Sequence, residues 1–100
     1  MMREVKIAAG KKLLFLPHAI KQMSRLDRML STAEIHDAIN RGEIIEEYPD
    51  DARGASCLIL YIGPKRVIHV VCSPKPEYLA IITAYVPDPD IWTSDFKVRK

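Results

Sequence analysis

The 100-residue sequence predicts an α+β domain: two N-terminal helices packed on one face of a four-stranded antiparallel sheet, with room for an extra N-terminal edge strand. Three observations predict it. Apolar residues recur at helical spacing from Ala19 to Leu30, a capping box stands at Ser31, and four extended runs follow with gaps too short for parallel crossovers. In chain order, Leu13 to Leu16, or part of Val5 to Ala8, is the candidate edge strand. Pro17 suits the first turn of a helix, where its missing N–H costs nothing. From it, Ala19, Ile20, Met23, Leu26 and Leu30 form the inward stripe, with Lys21, Gln22, Arg25 and Arg28 opposite. Ser31 and Glu34 cap a second helix, which buries Ile35, Ala38 and Ile39 and closes at Gly42 as a left-handed cap.

After Gly42 the period becomes extended. Glu43 to Tyr48 alternates in part, and Pro49-Asp50-Asp51 with Gly54 marks the next turn. Cys57 to Ile62 is continuously apolar, a central strand that ends at Gly63-Pro64-Lys65. Arg66 to Ser73 and Leu79 to Val86 complete the sheet, each stopped by prolines. Residues 1–100 read as a single domain, without repeats or linkers.

Hydrophobic residues make up 48% and charged residues 28%, which excludes general disorder. The longest apolar run is far short of the ~20 residues of a membrane helix, and Leu13 to Leu16 is too short for a signal peptide. A cytoplasmic, membrane-free protein is the expectation. The net charge of +2 is unevenly spread. Residues 1–28 hold seven cations against two anions, residues 29–56 two against seven, and the remainder six against four. The basic ends would attract a polyanion, unless they are simply a solvated mixed surface. Cys57 and Cys72 lack a CxxC partner and read as buried thiols. His18, His36 and His69 have no metal-ligand spacing, so neither a metal nor another cofactor is expected.

Strand alternation selects the candidate site. Val67, His69 and Val71 share one face, and Thr83 and Tyr85 share one face of the last strand. Small Ala80 and Ala84, with Ile82 and Val86, are expected beneath the helices, leaving Thr83, Tyr85 and His69 on the open side. An imidazole beside a phenol and an arginine can do acid–base work on a phosphodiester. Arg66, Arg28, Lys97 and Arg99 are candidate phosphate ligands, and Trp92 and Tyr85 candidate stacking platforms for bases. Each residue also has a plainer reading. His69 between valines suits a half-buried strand position, Tyr85 and Trp92 suit the end of a small core, and His18 and His36 suit the surface.

The order Leu16-Pro17-His18-Ala19, Arg28-Met29-Leu30-Ser31, Gly42-Glu43-Ile44-Ile45-Glu46, Ser56-Cys57-Leu58-Ile59-Leu60, Arg66-Val67-Ile68-His69-Val70-Val71 and Ile82-Thr83-Ala84-Tyr85-Val86-Pro87-Asp88-Pro89, then Trp92, resembles the small bacterial family of domain of unknown function 4258 over roughly residues 13–95. Met29 and Leu30 stand where that family usually has Gly-Ile. The resemblance implies a RelE-like toxin fold, whose members are commonly metal-independent ribonucleases, and a neighbouring zinc-finger antitoxin. It carries over His18, Arg28, His69, Thr83 and Tyr85 as pattern positions. The leading expectation is therefore a toxin-like endoribonuclease acting on RNA, with His69, Tyr85 and Arg66 catalytic. In it, His18, Arg28, Thr83, Trp92, Lys97 and Arg99 bind substrate. The alternative is a non-catalytic interaction module that forms a homodimer or binds a partner through the open sheet face. Passive RNA binding is disfavoured by the small net charge.

Overall fold

The computed structural model describes residues 1–27 and 29–100 of the chain. Its elements are α1 (Met2–Lys11), β1 (Leu13–Phe15), α2 (Pro17–Met23), α3 (Thr32–Arg41), β2 (Glu43–Tyr48), β3 (Ser56–Ile62), β4 (Val67–Pro74) and β5 (Leu79–Tyr85). The five strands lie in the order β1-β5-β4-β3-β2; β1 is parallel to β5 and every other pair is antiparallel. The α+β class holds, but the expected two helices are three. Residues near Val5 to Ala8, one candidate for the edge strand, are helical instead. Val5 and Ala8 lie one turn apart and pack α1 against the sheet, with Glu4 in its first turn and Lys11 in its last matching the helix dipole.

α3 follows the sequence closely. The Ser31 hydroxyl accepts from the Glu34 N–H at 3.2 Å, and the Glu34 carboxylate accepts from the Ser31 N–H at 3.1 Å. Ile35, Ala38 and Ile39 are buried. The helical period beginning at Ala19 is realised only as far as Met23. Leu26 is 92% exposed, and the chain doubles back so that the Leu30 N–H reaches the Met23 carbonyl at 3.0 Å. Burying Leu30 and delivering Ser31 to its cap outweighs another helical turn. Gly42 is not a left-handed cap, since its φ is −77°. It is required for space: a Cβ there would sit 2.4 Å from the Ala38 carbonyl oxygen and 2.6 Å from Ile59 Cγ2.

The helices cover one sheet face, where Cys57, Ile59, Tyr61, Ile68, Val70, Cys72, Leu79, Ile81 and Ala84 form the core with α1, α2 and α3. Cys57 and Cys72 are free thiols paired across β3 and β4, Sγ to Sγ 3.8 Å. Two bulges reset strand parity. One between Val71 and Cys72 of β4 and the facing β5 places Leu79 and Ile81 beneath the helices, so Ala80, paired with Ser73, faces away, contrary to expectation. The other lies in β2 between Ile44 and Glu46. It leaves Ile44 on the helix side and turns Glu46 to the opposite face, across from Leu58.

That opposite face is not open. Residues 91–100 fold back as a short hairpin with Trp92 and Arg99 bridged in antiparallel fashion, and lie across it. Leu58, Leu60 and His69 are consequently buried, although no helix covers them. No helix among the described residues is long and apolar enough to cross a membrane.

Candidate functional site

The hairpin-covered face holds a connected cluster of ionisable groups. β4 supplies His69, paired in register with Tyr85 of β5, and β2 supplies Glu46 and Tyr48. The hairpin supplies Trp92 and Arg99. Tyr85 Oη lies 3.2 Å from His69 Nδ1, and the Phe96 carbonyl oxygen lies 2.9 Å from His69 Nε2. A carbonyl only accepts, so Nε2 carries the proton and Nδ1 accepts from the Tyr85 hydroxyl. The geometry thus selects one neutral tautomer.

The aromatic rings wrap this imidazole. Trp92 meets it edge-on at 4.4 Å between centroids and Tyr85 at 5.3 Å. Arg99 lies over the Trp92 ring, 4.5 Å from its centre, and donates to Glu46, which also accepts from the Tyr48 hydroxyl. Lys97 pairs with Glu43 at 3.1 Å.

Electrostatics follow from that arrangement. Burial pushes the His69 pKa down, against the upward pull of the Phe96 carbonyl, and the nearby Arg99 charge adds to the fall. The Arg99 hydrogen bond holds Glu46 below the usual carboxylate range despite partial burial. Burial raises Tyr85, and burial with the Glu46 contact raises Tyr48. The cluster at rest is a neutral imidazole, a neutral phenol and an ion-paired carboxylate.

The structure brings together four of the residues singled out in the sequence: His69, Tyr85, Trp92 and Arg99. Thr83 is half-buried on the same face, opposite Val71, and Lys97 lies on the hairpin at the rim. Arg66 is elsewhere. It stands three residues before His69, so alternation sends it to the helix side. There the Glu34 carboxylate receives its Nε at 3.0 Å and its second terminal nitrogen at 2.8 Å, while the Met29 carbonyl takes a further bond at 3.2 Å. That bidentate grip holds Glu34 down at about 2. Trp92 is 3% exposed, with an edge contact to His69 and Arg99 over its ring, so it offers no free platform to a base. His18 is exposed on α2. Arg28 lies outside the described residues.

Glu46 and Tyr48 are the site residues that sequence reasoning missed. Simple alternation from Ile44 puts Glu46 beneath the helices, and only the bulge turns it outward. The doublets Ile44-Ile45 and Glu46-Glu47, which break the alternation, are the one trace of it in the sequence.

No curated protein and no solved structure matches the chain. A family profile matches residues 15–86, a span that includes Glu46, His69 and Tyr85 and stops before the hairpin. That family is described as Domain of unknown function (DUF4258), and with most of its length matched the chain belongs to it.

Proposed function

We propose that this chain is a toxin-like, metal-independent endoribonuclease of RelE-like type whose acid–base site is the hairpin-covered sheet face. The observation that carries the reading is the joining of carboxylate, imidazole, phenol and guanidinium in one cluster: Glu46, His69, Tyr85 and Arg99. These are the groups that cleavage of RNA by its own ribose requires. Arg99 would take the phosphate oxygens, releasing Glu46 from the ion pair that holds its pKa down and making it a better base. Glu46 then accepts the 2′-hydroxyl proton as the 2′-oxygen attacks phosphorus. The bond to the 5′-oxygen breaks, and that oxygen takes a proton from His69, protonated beside the anionic phosphate. The products are a 2′,3′-cyclic phosphate and a 5′-hydroxyl. Tyr85 positions the ring through Nδ1. Arg66 has no place in this scheme, because it serves Glu34 on the other side of the sheet. The reading carries single-stranded RNA as substrate and a small zinc-finger antitoxin as protein partner.

Purified protein incubated with RNA and a chelator should yield cyclic-phosphate ends, and Glu46→Gln and His69→Asn should each abolish them. Absence of cleavage by the unaltered chain, or cleavage that survives both substitutions, refutes the reading.

A second reading is favoured by one observation. His69 has 0% exposure and both ring nitrogens satisfied, as suits a purely structural imidazole. The chain would then be a non-catalytic interaction module. The sheet face cannot be its docking surface, because the hairpin occupies it. The exposed apolar side chains Ile20, Leu26 and Met29 would serve instead, in a homodimer or with a partner. A stable dimer in sedimentation, with no cleavage, favours this module.

A further inference from the structure

Resting on the ribonuclease reading, we propose that residues 93–98 form a strap that shuts the site, with the Phe96 carbonyl holding the place of the RNA oxygen that His69 serves. The hairpin divides into a fixed root and a releasable tip. At the root Trp92 is buried against His69, the Lys100 N–H donates to the Ile91 carbonyl at 2.7 Å, and Arg99 is paired with Glu46. The tip holds by weaker means. Ser94 and Asp95 are exposed, and the turn is tied by Asp95 Oδ1, which accepts from the Thr93 hydroxyl at 2.7 Å and from the Lys97 N–H at 3.1 Å. The Lys97–Glu43 pair beside it is 42% and 57% exposed, a geometry that water and salt weaken.

The tip is also strained. Phe96 has a φ of +60°, in the left-handed region that glycine adopts far more readily than a residue with a large side chain. A large side chain persists there only when its surroundings over-determine it. The contacts that do so are the carbonyl bond from His69 Nε2 and, within the tip, the Phe96 N–H bond to the Thr93 carbonyl at 2.8 Å. Nε2–H donates to any oxygen acceptor, so a ribose or phosphate oxygen can replace that carbonyl bond for bond. Release of the tip relieves the backbone, uncovers Nε2, and leaves Arg99 in place on the root.

Acylation of histidine nitrogens by diethyl pyrocarbonate, located by peptide mass spectrometry, tests the strap whether or not the chain cuts RNA. The exposed His18 and His36 serve as internal standards. In the unaltered chain His69 should label far more slowly than either. In the double variant Asp95→Ala, Lys97→Ala, which removes the Asp95 side-chain ties and the Lys97–Glu43 pair and so loosens the tip, His69 labelling should rise roughly tenfold, since labelling tracks the open population. Acrylamide quenching of Trp92 should stay as in the unaltered chain, because the root remains closed. His69 labelling as fast as His18 in the unaltered chain, or no faster in the variant, overturns the strap. A parallel rise in His69 labelling and Trp92 quenching overturns it too, because the hairpin then moves as one piece or the fold is lost.

Discussion

Replacing His69 by alanine should cost the fold about 3–4 kcal/mol. The ring is fully buried and makes two hydrogen bonds, at 3.2 and 2.9 Å. Each bond contributes about 1 kcal/mol net, and the orphaned Phe96 carbonyl adds a desolvation cost of about 1 kcal/mol or more. Loss of the ring's contacts with Trp92 and Tyr85 adds about 1 kcal/mol. For a chain of 100 residues, 1 kcal/mol shifts the thermal midpoint by about 4–8 °C, so the midpoint should fall by roughly 15–25 °C. Urea unfolding followed by the fluorescence of Trp92, the sole tryptophan, reads the same loss directly. His18→Ala, at an exposed helix position, should change stability by no more than about 0.5 kcal/mol. A His69→Ala cost below about 1 kcal/mol would mean the imidazole is not the keystone between hairpin and sheet.

Three further outcomes follow from the same geometry. Because burial lowers the His69 pKa below its ordinary 6.5, the folded state binds that proton less readily than the unfolded chain. This contribution to stability should be fully present above pH 6.5 and decline on acidification below it; a His69-dependent gain in stability over that range contradicts the burial. Glu34, held at about 2 by Arg66, contributes stability that is present above its ordinary 4.5 and lost as pH falls through about 2. Glu34→Gln should therefore cost about 1–2 kcal/mol at pH 7, allowing for partial solvent exposure, and nothing below pH 2 in acid titrations of the urea midpoint. Gly42→Ala should destabilise by about 1–3 kcal/mol through overlap with the Ala38 carbonyl and Ile59, and an unshifted urea midpoint refutes that crowding.

Local rules made α3 and the antiparallel strands legible: a capping box, runs of β-branched residues and proline stops. The pairing of His69 with Tyr85 was also readable, because no bulge lies between them in register. Arg66 could have been set apart by the same alternation, being an odd number of positions from His69. Glu46 was hidden because a bulge leaves no strong mark in composition. α1 was hidden because its buried stripe rests on Val5 and two small alanines among lysines. The hairpin was hidden for another reason. Its residues look like a basic tail, and only long-range contacts with Glu43, Glu46 and His69 give it a shape.

The pairing of β1 with β5 constrains how the molecule is made. Leu13 finds its partner only when Leu79 has emerged, and Phe15 only when Ile81 has. Until then β1 has no neighbour along its ladder, so that edge of the sheet closes only after β5 is made, through a slow search between segments distant in sequence. A nascent chain stalled before Leu79 would expose Leu13 and Phe15 to chaperones, and any activity residing in the sheet would be withheld until β5 has been made.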